Sequence, residues 1–239
     1  MAENGKTIFV AGTGTEVGKS FVCGLLLRHA RAQGNVGYQK WVSTGGALPE
    51  DWRFCRETAG MELDMTALEQ EVPFRFAYPA SPHLAAEREG REVDPDVILS
   101  RYREMAAKHE LLIVEGVGGL LVPLRRDLLL VDLLAELAPP TLLVAQSGLG
   151  TINHTLLSLE ALRSRNIPVL GVVFSDAEGE SGDEKLIDDN MRVVAETGRC
   201  KVFGRLVRHS SIDAAVAAFA PIATGVLDAH ASLSGLASL

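Results

Sequence analysis

Short apolar runs recur along the chain, each closed by turn residues and followed by a longer amphipathic stretch. This pattern predicts strands over Thr7–Ala11, Val36–Val42, Leu111–Glu115, Thr141–Gln146, Val169–Phe174 and Lys201–Phe203. Between them it predicts helices over Lys19–Gln33, Asp96–Lys108, Thr151–Arg165 and Glu184–Thr197. Asp94-Pro95-Asp96 is a helix start, with an oxygen cap, proline in the first turn and acid at the positive helix end. Asn166-Ile167-Pro168 closes the preceding helix and leads into the next strand. Strands alternating with helices imply right-handed crossovers, hence an α/β fold whose mainly parallel central sheet carries helices on both faces. The stretch Thr44–Ala80, with scattered glycine and proline, is the least regular and is expected to lie over the ligand-binding ends of the strands.

Composition narrows the picture. The 239 residues, 47% of them hydrophobic, suffice for one substantial core, and no linker or repeat divides them, so 1–239 reads as a single domain. The formal charge of -8 argues against a nucleic-acid or anionic-membrane surface, which would carry a basic patch. Cys23, Cys55 and Cys200 are far apart and form no C-x-x-C pair; they read as reduced, packing thiols of a cytosolic protein. The apolar runs fall short of roughly 20 residues, so no membrane span is expected.

Chemistry enters at Val10–Ser20, "VAGTGTEVGKS", which lies between a strand and a helix. It ends in the Gly-Lys-Ser of a phosphate-binding loop, but its first glycine, Gly12, stands one position too early for G-x-x-x-x-G-K-[ST]. Inward-turned N–H groups and the start of the following helix would cradle phosphate oxygens. In such a loop Lys19, expected to be exposed, would reach the phosphates, and the Ser20 hydroxyl would serve Mg²⁺. The bland alternative is a glycine turn with a capping serine. Glu115 closes an apolar strand and opens onto glycines, which places a carboxylate at the binding edge of the sheet. Lys40 ends the second strand with Ser43 and Thr44 beside it, a cluster suited to an anionic reaction centre. Asp51 is either a further carboxylate or a helix-cap residue. The glycines before Thr151 leave free N–H groups for a second anion site, or Thr151 simply caps its helix. His83 and His154 lack metal-ligand spacing and read as structural.

Taken in order, these segments resemble ATP-dependent dethiobiotin synthetases. "GTGTEVGKS" is similar to that family's lengthened P-loop, which accounts for the extra residue. "GYQKWVSTG", "SPHLAAEREG", "LIVEGVGGLLVPL" and "SGLGTINHT" correspond to further family segments. The resemblance implies a P-loop NTPase-type fold and closure of the ureido ring from 7,8-diaminononanoate, CO2 and ATP. It implies Lys19, Lys40 and Thr15 at the reaction centre and Mg²⁺ on Ser20, Asp51 and Glu115. Nucleotide would meet Glu16, Val17, Gly18, Lys19, Ser20 and Phe21 in the loop, then Asp51, Glu115, Gly116, Val117 and Gly118. Its base would meet Ser175, Asp176, Leu206, Val207 and Arg208. Substrate would meet Thr44, and the helix start Gly150, Thr151, Ile152 and Asn153 would serve the other subunit of a cytoplasmic homodimer.

The chain departs from the family pattern at Gly14, Trp41, Ser175 and Val207, where an acid, a proline, an adenine-contacting asparagine and a proline are usual. A serine hydroxyl lacks the paired donor and acceptor of an amide, so relaxed base selection is expected. The rival from another class is a ParA/MinD-like ATPase switch, which carries a second lysine five residues before the invariant one. Here that position is Gly14. A plain hydroxyl kinase is the other enzymatic alternative, but it gives no reason for the glycines after Glu115 or for "SGLGTINH".

Overall fold

The computed structural model describes residues 6–176 and 183–236. Six parallel strands form the main sheet: β1 (Thr7–Gly12), β2 (Val36–Lys40), β5 (Leu111–Glu115), β8 (Thr141–Gln146), β9 (Val169–Ser175) and β10 (Val202–Leu206). Their order across the sheet is β10-β9-β8-β1-β5-β2: after β1 the chain crosses to the β2 edge, returns to β5 beside β1, and then steps outward on the other side through β8, β9 and β10. The crevice at the carboxyl end of β1 is therefore the switch point where an open α/β sheet binds ligands. Strands β1 and β5 are apolar along nearly their whole length and almost fully buried, as expected of parallel strands covered on both faces.

The helices are α1 (Lys19–Arg31), α2 (Glu50–Thr58), α3 (Met65–Glu71), α4 (Pro82–Arg88), α5 (Pro95–Lys108), α6 (Leu130–Leu137), α7 (Thr151–Arg163), α8 (Glu184–Thr197) and α9 (Ile212–Leu236). Short pairs complete the fold: β3 (Val42–Thr44) runs parallel to β4 (Phe74–Phe76), and β6 (Pro123–Arg125) is antiparallel to β7 (Leu128–Leu129). One core packs α1, α2 and α9 on a sheet face through Val22, Leu26, Trp52 and Phe219. The other packs α5, α6 and α7 through Tyr102, Leu134 and Leu159.

Four expectations change. The predicted strand Val36–Val42 breaks at Trp41, whose fully buried ring turns away to pack on Phe9 at 5.0 Å and edge-on to Tyr102. Beyond that break the chain leaves the main sheet and pairs with β4 instead. Thr44–Ala80 is not irregular, since it holds α2, α3 and β4. Within α2, Trp52, Cys55 and Ala59 recur at helical spacing and are buried. The last strand runs on to Leu206, and α9 follows it in a segment where no element was predicted. Helix α9 also exceeds the apolar runs anticipated: Ile212–Gly235 is long and apolar enough to cross a membrane by length and composition. Its face Ala215, Phe219, Ile222, Ala223 and Val226 is packed against the body of the protein.

A buried ion pair fixes α2. Arg56 Nη1 lies 2.5 Å from Glu71 Oε1 at the end of α3, and Trp52 Nε1 donates to Glu71 Oε2. Both charges are nearly sequestered, so removing one partner would strand the other. On α9, His230 is 8% exposed, and its Nε2 has no hydrogen-bond partner among the described residues. Burial lowers its pKa from 6.5, against a smaller opposing effect of its hydrogen bond with the Thr7 backbone. A depressed folded-state pKa means that the unfolded chain takes up the proton first, so this contribution is intact above pH 6.5 and lost as pH falls below it. Urea unfolding at pH 7.5 and pH 5.5 is expected to show a smaller acid loss of stability for His230→Gln than for the unsubstituted chain.

Candidate active site

The loop between β1 and α1 is shaped by close approach. A Cβ on Gly12 would sit 2.9 Å from Lys19 Cδ and Nζ and from Val17 Cγ2, so only glycine lets the lysine fold across it. Glu16 and Gly18 take left-handed conformations, with φ of 60° and 91°, and turn the loop into the helix. No side chain caps α1 among the described residues, which leaves its first N–H groups directed at the loop. Lys19 is not exposed as expected. It is 7% exposed, and its Nζ donates to Gly14 O at 2.7 Å. Burial, and then the charge of Lys40, lower its pKa to about 8, with Glu115 and Asp51 opposing.

Four elements deliver a charged cluster beside this loop. Glu115 at the end of β5 has no exposure, and Lys40 opposite it on β2 is 4% exposed. Lys40 Nζ lies 2.6 Å from both Glu115 Oε1 and Asp51 Oδ2, the latter carried by the first turn of α2. Burial alone would lower the Lys40 pKa, but the charges and hydrogen bonds of Glu115 and Asp51 raise it above its ordinary value. Asp51 is pushed up by burial and, more strongly in sum, held down by Lys40 and Ser20. Behind Glu115, Tyr38 OH donates to Oε2 at 2.7 Å, and Cys55 Sγ lies 3.9 Å from the same oxygen.

Ser20 Oγ sits 2.8 Å from Asp51 Oδ1 and 2.8 Å from Glu115 Oε1. A hydroxyl has one proton and can satisfy only one of these acceptors at a time. Three hard oxygens thus converge where lone pairs face one another, a donor set that suits a small divalent cation shared with phosphates. Ser20, Asp51 and Glu115, the residues expected to hold Mg²⁺, are therefore together, and Lys40 is wedged among them.

These groups line a cavity of about 680 Å³. It also takes in Thr15, Glu16, Gly18, Lys19, Phe21, Thr44, Val117, Gly118, Ser175, Asp176, Leu206, Val207 and Arg208. Val17 and Gly116 do not line it. The Val17 side chain belongs to the core, and Gly116 lies against the Phe9 ring with its N–H donated to Val10 O. Ser175 is buried at the end of β9. Asp176 is already engaged by Arg205, at 2.7 Å to Nη2, and by the Ser147 hydroxyl.

The helix start Gly150–Asn153 stands apart from this cavity. Gly150 has a φ of 89°, no side chain caps α7 among the described residues, and Thr151 is the first helical residue, not its cap. Asp51 likewise lies inside α2, whose cap position is Pro49. His154 flanks a second cavity of about 360 Å³ between α7, Thr13–Thr15 and Gly119–Val122. Leu121 and Leu157 in its lining are 59% and 61% exposed, and Leu149, just before the start of α7, is 89% exposed.

Sequence reasoning missed Tyr38 and Cys55 behind Glu115, and His209, Ser211 and Ile212 on the cavity wall. Tyr38 had a readable signal: it precedes Lys40 by two strand positions and shares its face. The others depend on α2 and α9, which carried no predicted element.

An AAA-domain family model matches residues 6–216. The ATP-dependent dethiobiotin synthetase BioD of Rhodopseudomonas palustris (strain TIE-1) is 40% identical over 215 residues, covering 89% of this chain and 92% of the relative. That of Brachyspira hyodysenteriae is 34% identical over 209 residues, covering 84% and 92%. Among solved structures, an ATP complex of a substituted Cyanothece McdA superposes with a TM-score of 0.61 at 12% identity, covering 94% of this chain and 95% of that one. The MinC:MinD complex of Aquifex aeolicus gives 0.57 at 11%, covering 96% of each chain. At such identities these structures match in fold alone.

Replacing Lys40 with glutamine would leave Glu115 buried without its counter-charge. In metal-free buffer Lys40→Gln is expected to lose on the order of 3 kcal/mol of stability by chemical denaturation. Added Mg²⁺ is expected to restore more stability to this variant than it adds to the unsubstituted protein.

Proposed function

The chain belongs to the ATP-dependent dethiobiotin synthetase family, and from that premise we infer the work of its cavity. The protein is an ATP-using ligase of biotin biosynthesis that makes dethiobiotin. Its substrates are 7,8-diaminononanoate, CO2 and ATP. The observation that carries the reading is the meeting of Ser20, Lys40, Asp51 and Glu115, from four elements, beside a phosphate-binding loop.

Loop N–H groups from Glu16 to Phe21 and the Lys19 ammonium bind the phosphates. Ser20, Asp51 and Glu115 would hold Mg²⁺, which when bound would offset negative charge on the phosphates. One substrate amine captures CO2 as a carbamate and loses a proton. A carbamate oxygen attacks the γ-phosphorus and ADP departs. The second amine then attacks the carbonyl carbon of the mixed anhydride, and phosphate leaves as the ring closes. Lys40 keeps its proton throughout and faces the carbamate and the moving phosphoryl group, where negative charge shifts as the bonds change. Thr15 lies beside the same groups, and Thr44 contacts the substrate. Catalysis here is positioning and charge neutralisation, with no protein nucleophile.

The whole chain acts as one domain and pairs as a cytoplasmic homodimer without nucleic-acid or membrane partners. The start of α7, from Gly150 to Asn153, binds the substrate carboxylate at the other copy's cavity. Its place outside this chain's own cavity and the exposed Leu121, Leu149 and Leu157 nearby support that arrangement. A ParA/MinD-like switch has only fold likeness behind it, and Gly14 stands where its second lysine would be.

Phosphate release from ATP is expected to require both diaminononanoate and bicarbonate, with dethiobiotin detected by mass spectrometry. Release that ignores both additions would favour the switch. Lys40→Gln should lower kcat far more than it weakens nucleotide binding, because what it removes is stabilisation of the transition state.

The base region generates a separate expectation. Ser175 offers one hydroxyl, and Asp176 is held by Arg205, so neither supplies the paired readout of an amide. Values of kcat/KM for ATP, GTP and CTP at saturating diaminononanoate should agree within about tenfold, or roughly 1.4 kcal/mol of discrimination. A hundredfold preference for ATP would show that the base is read elsewhere.

A further inference from the structure

Glu115 is the one member of the metal-binding set with no exposure at all, and its two oxygens have different company. Oε1 meets Ser20 Oγ at 2.8 Å and Lys40 Nζ at 2.6 Å, on the cavity side. Oε2 meets Tyr38 OH at 2.7 Å, inside the core beneath α1. Cys55 Sγ, at 3.9 Å, is a far weaker donor to the same oxygen.

We propose that Tyr38 is a positioning residue for the metal site: its hydroxyl fixes Oε2 of Glu115 so that Oε1 alone is presented to the cation. The inference rests on the assignment of Ser20, Asp51 and Glu115 to Mg²⁺. Its local cause is strand geometry. Tyr38 and Lys40 are two residues apart on β2, and β2 runs in register with β5, so that Tyr38 lies beside Ile113 and Lys40 beside Glu115. The strand that delivers Lys40 therefore delivers the clamp, from the same face.

A carboxyl torsion is broad, so an unclamped Glu115 carboxylate can rock away from the orientation that presents Oε1 at little cost. The Tyr38 hydroxyl removes that freedom. Packing alone does not call for it, because a phenylalanine ring would fill the same space in the core. What the hydroxyl adds is a short hydrogen bond to a charged oxygen that has no water to turn to. Mg²⁺ tolerates little departure from near-ideal octahedral geometry, so one wandering oxygen weakens it directly.

The test is Tyr38→Phe, with Tyr102→Phe as a control. Tyr102 is an equally buried tyrosine whose hydroxyl serves Thr7 Oγ1 at 2.9 Å, away from the cavity. Mn²⁺ binding to each protein in the presence of ADP is measured by the loss of the free-ion EPR signal. Tyr38→Phe is expected to bind Mn²⁺ about tenfold more weakly, while Tyr102→Phe binds as the unsubstituted protein does. In turnover, the Mg²⁺ concentration for half-maximal rate should rise by a similar factor, and added Mg²⁺ should recover the rate. Unchanged Mn²⁺ affinity in Tyr38→Phe, with or without a fall in melting temperature, would make the hydroxyl structural and overturn the proposal. Failure of the unsubstituted protein to bind Mn²⁺ with ADP would overturn the metal assignment itself, and the role of Tyr38 with it.

Discussion

A carboxylate with no access to water is the constraint around which this molecule is arranged. Glu115 ends a strand paired on both sides, so its charge has to be answered by protein groups. The answer comes from β2 with Lys40 and Tyr38, and from α1 with Ser20. Asp51 completes the cluster through Lys40 and Ser20, carried by α2, which is packed on the core through Trp52 and moored by the buried Arg56–Glu71 pair. The contacts of Glu115 join segments far apart in the chain. An uncompensated charge at this depth would cost several kcal/mol, so any of them is expensive to lose.

Much of this was legible beforehand, for a physical reason. A strand buried on both faces has to be a run of apolar residues, so a charge at its end marks the binding edge of the sheet. Glu115 after Leu111–Val114 and Lys40 after Val36–Gln39 were found in that way, and Lys19 and Ser20 by the glycines around them. The limits of β5, β8 and α8 match the periodic pattern to the residue. Membership of the family and the P-loop type of fold also followed from these segments.

What stayed hidden depends on contacts that no local pattern encodes. Helix α2 is short and rich in charge, and its buried face includes Arg56, which belongs there only because Glu71 is opposite. The break at Trp41 is decided by Phe9 and Tyr102, from two other elements. Lys19 reads as a solvated side chain until the Gly14 carbonyl and the missing side chain of Gly12 give it somewhere to fold. The alanine-rich α9 has a weak apolar periodicity, and its packing on α1 and the last strands defines it.

The cluster has a consequence for how nucleotide arrives. Two ammonium groups, Lys19 and Lys40, stand against two carboxylates, Asp51 and Glu115, so the resting pocket has almost no net charge at neutral pH. It sits in a chain of formal charge -8. On the proposed site assignment, an approaching polyphosphate feels a weakly repulsive field until it is within a few ångströms of the loop, where N–H dipoles and Lys19 would take hold. Capture is a short-range event, and raising the ionic strength should quicken the encounter by screening the repulsion, the reverse of what a basic, steering cleft would do.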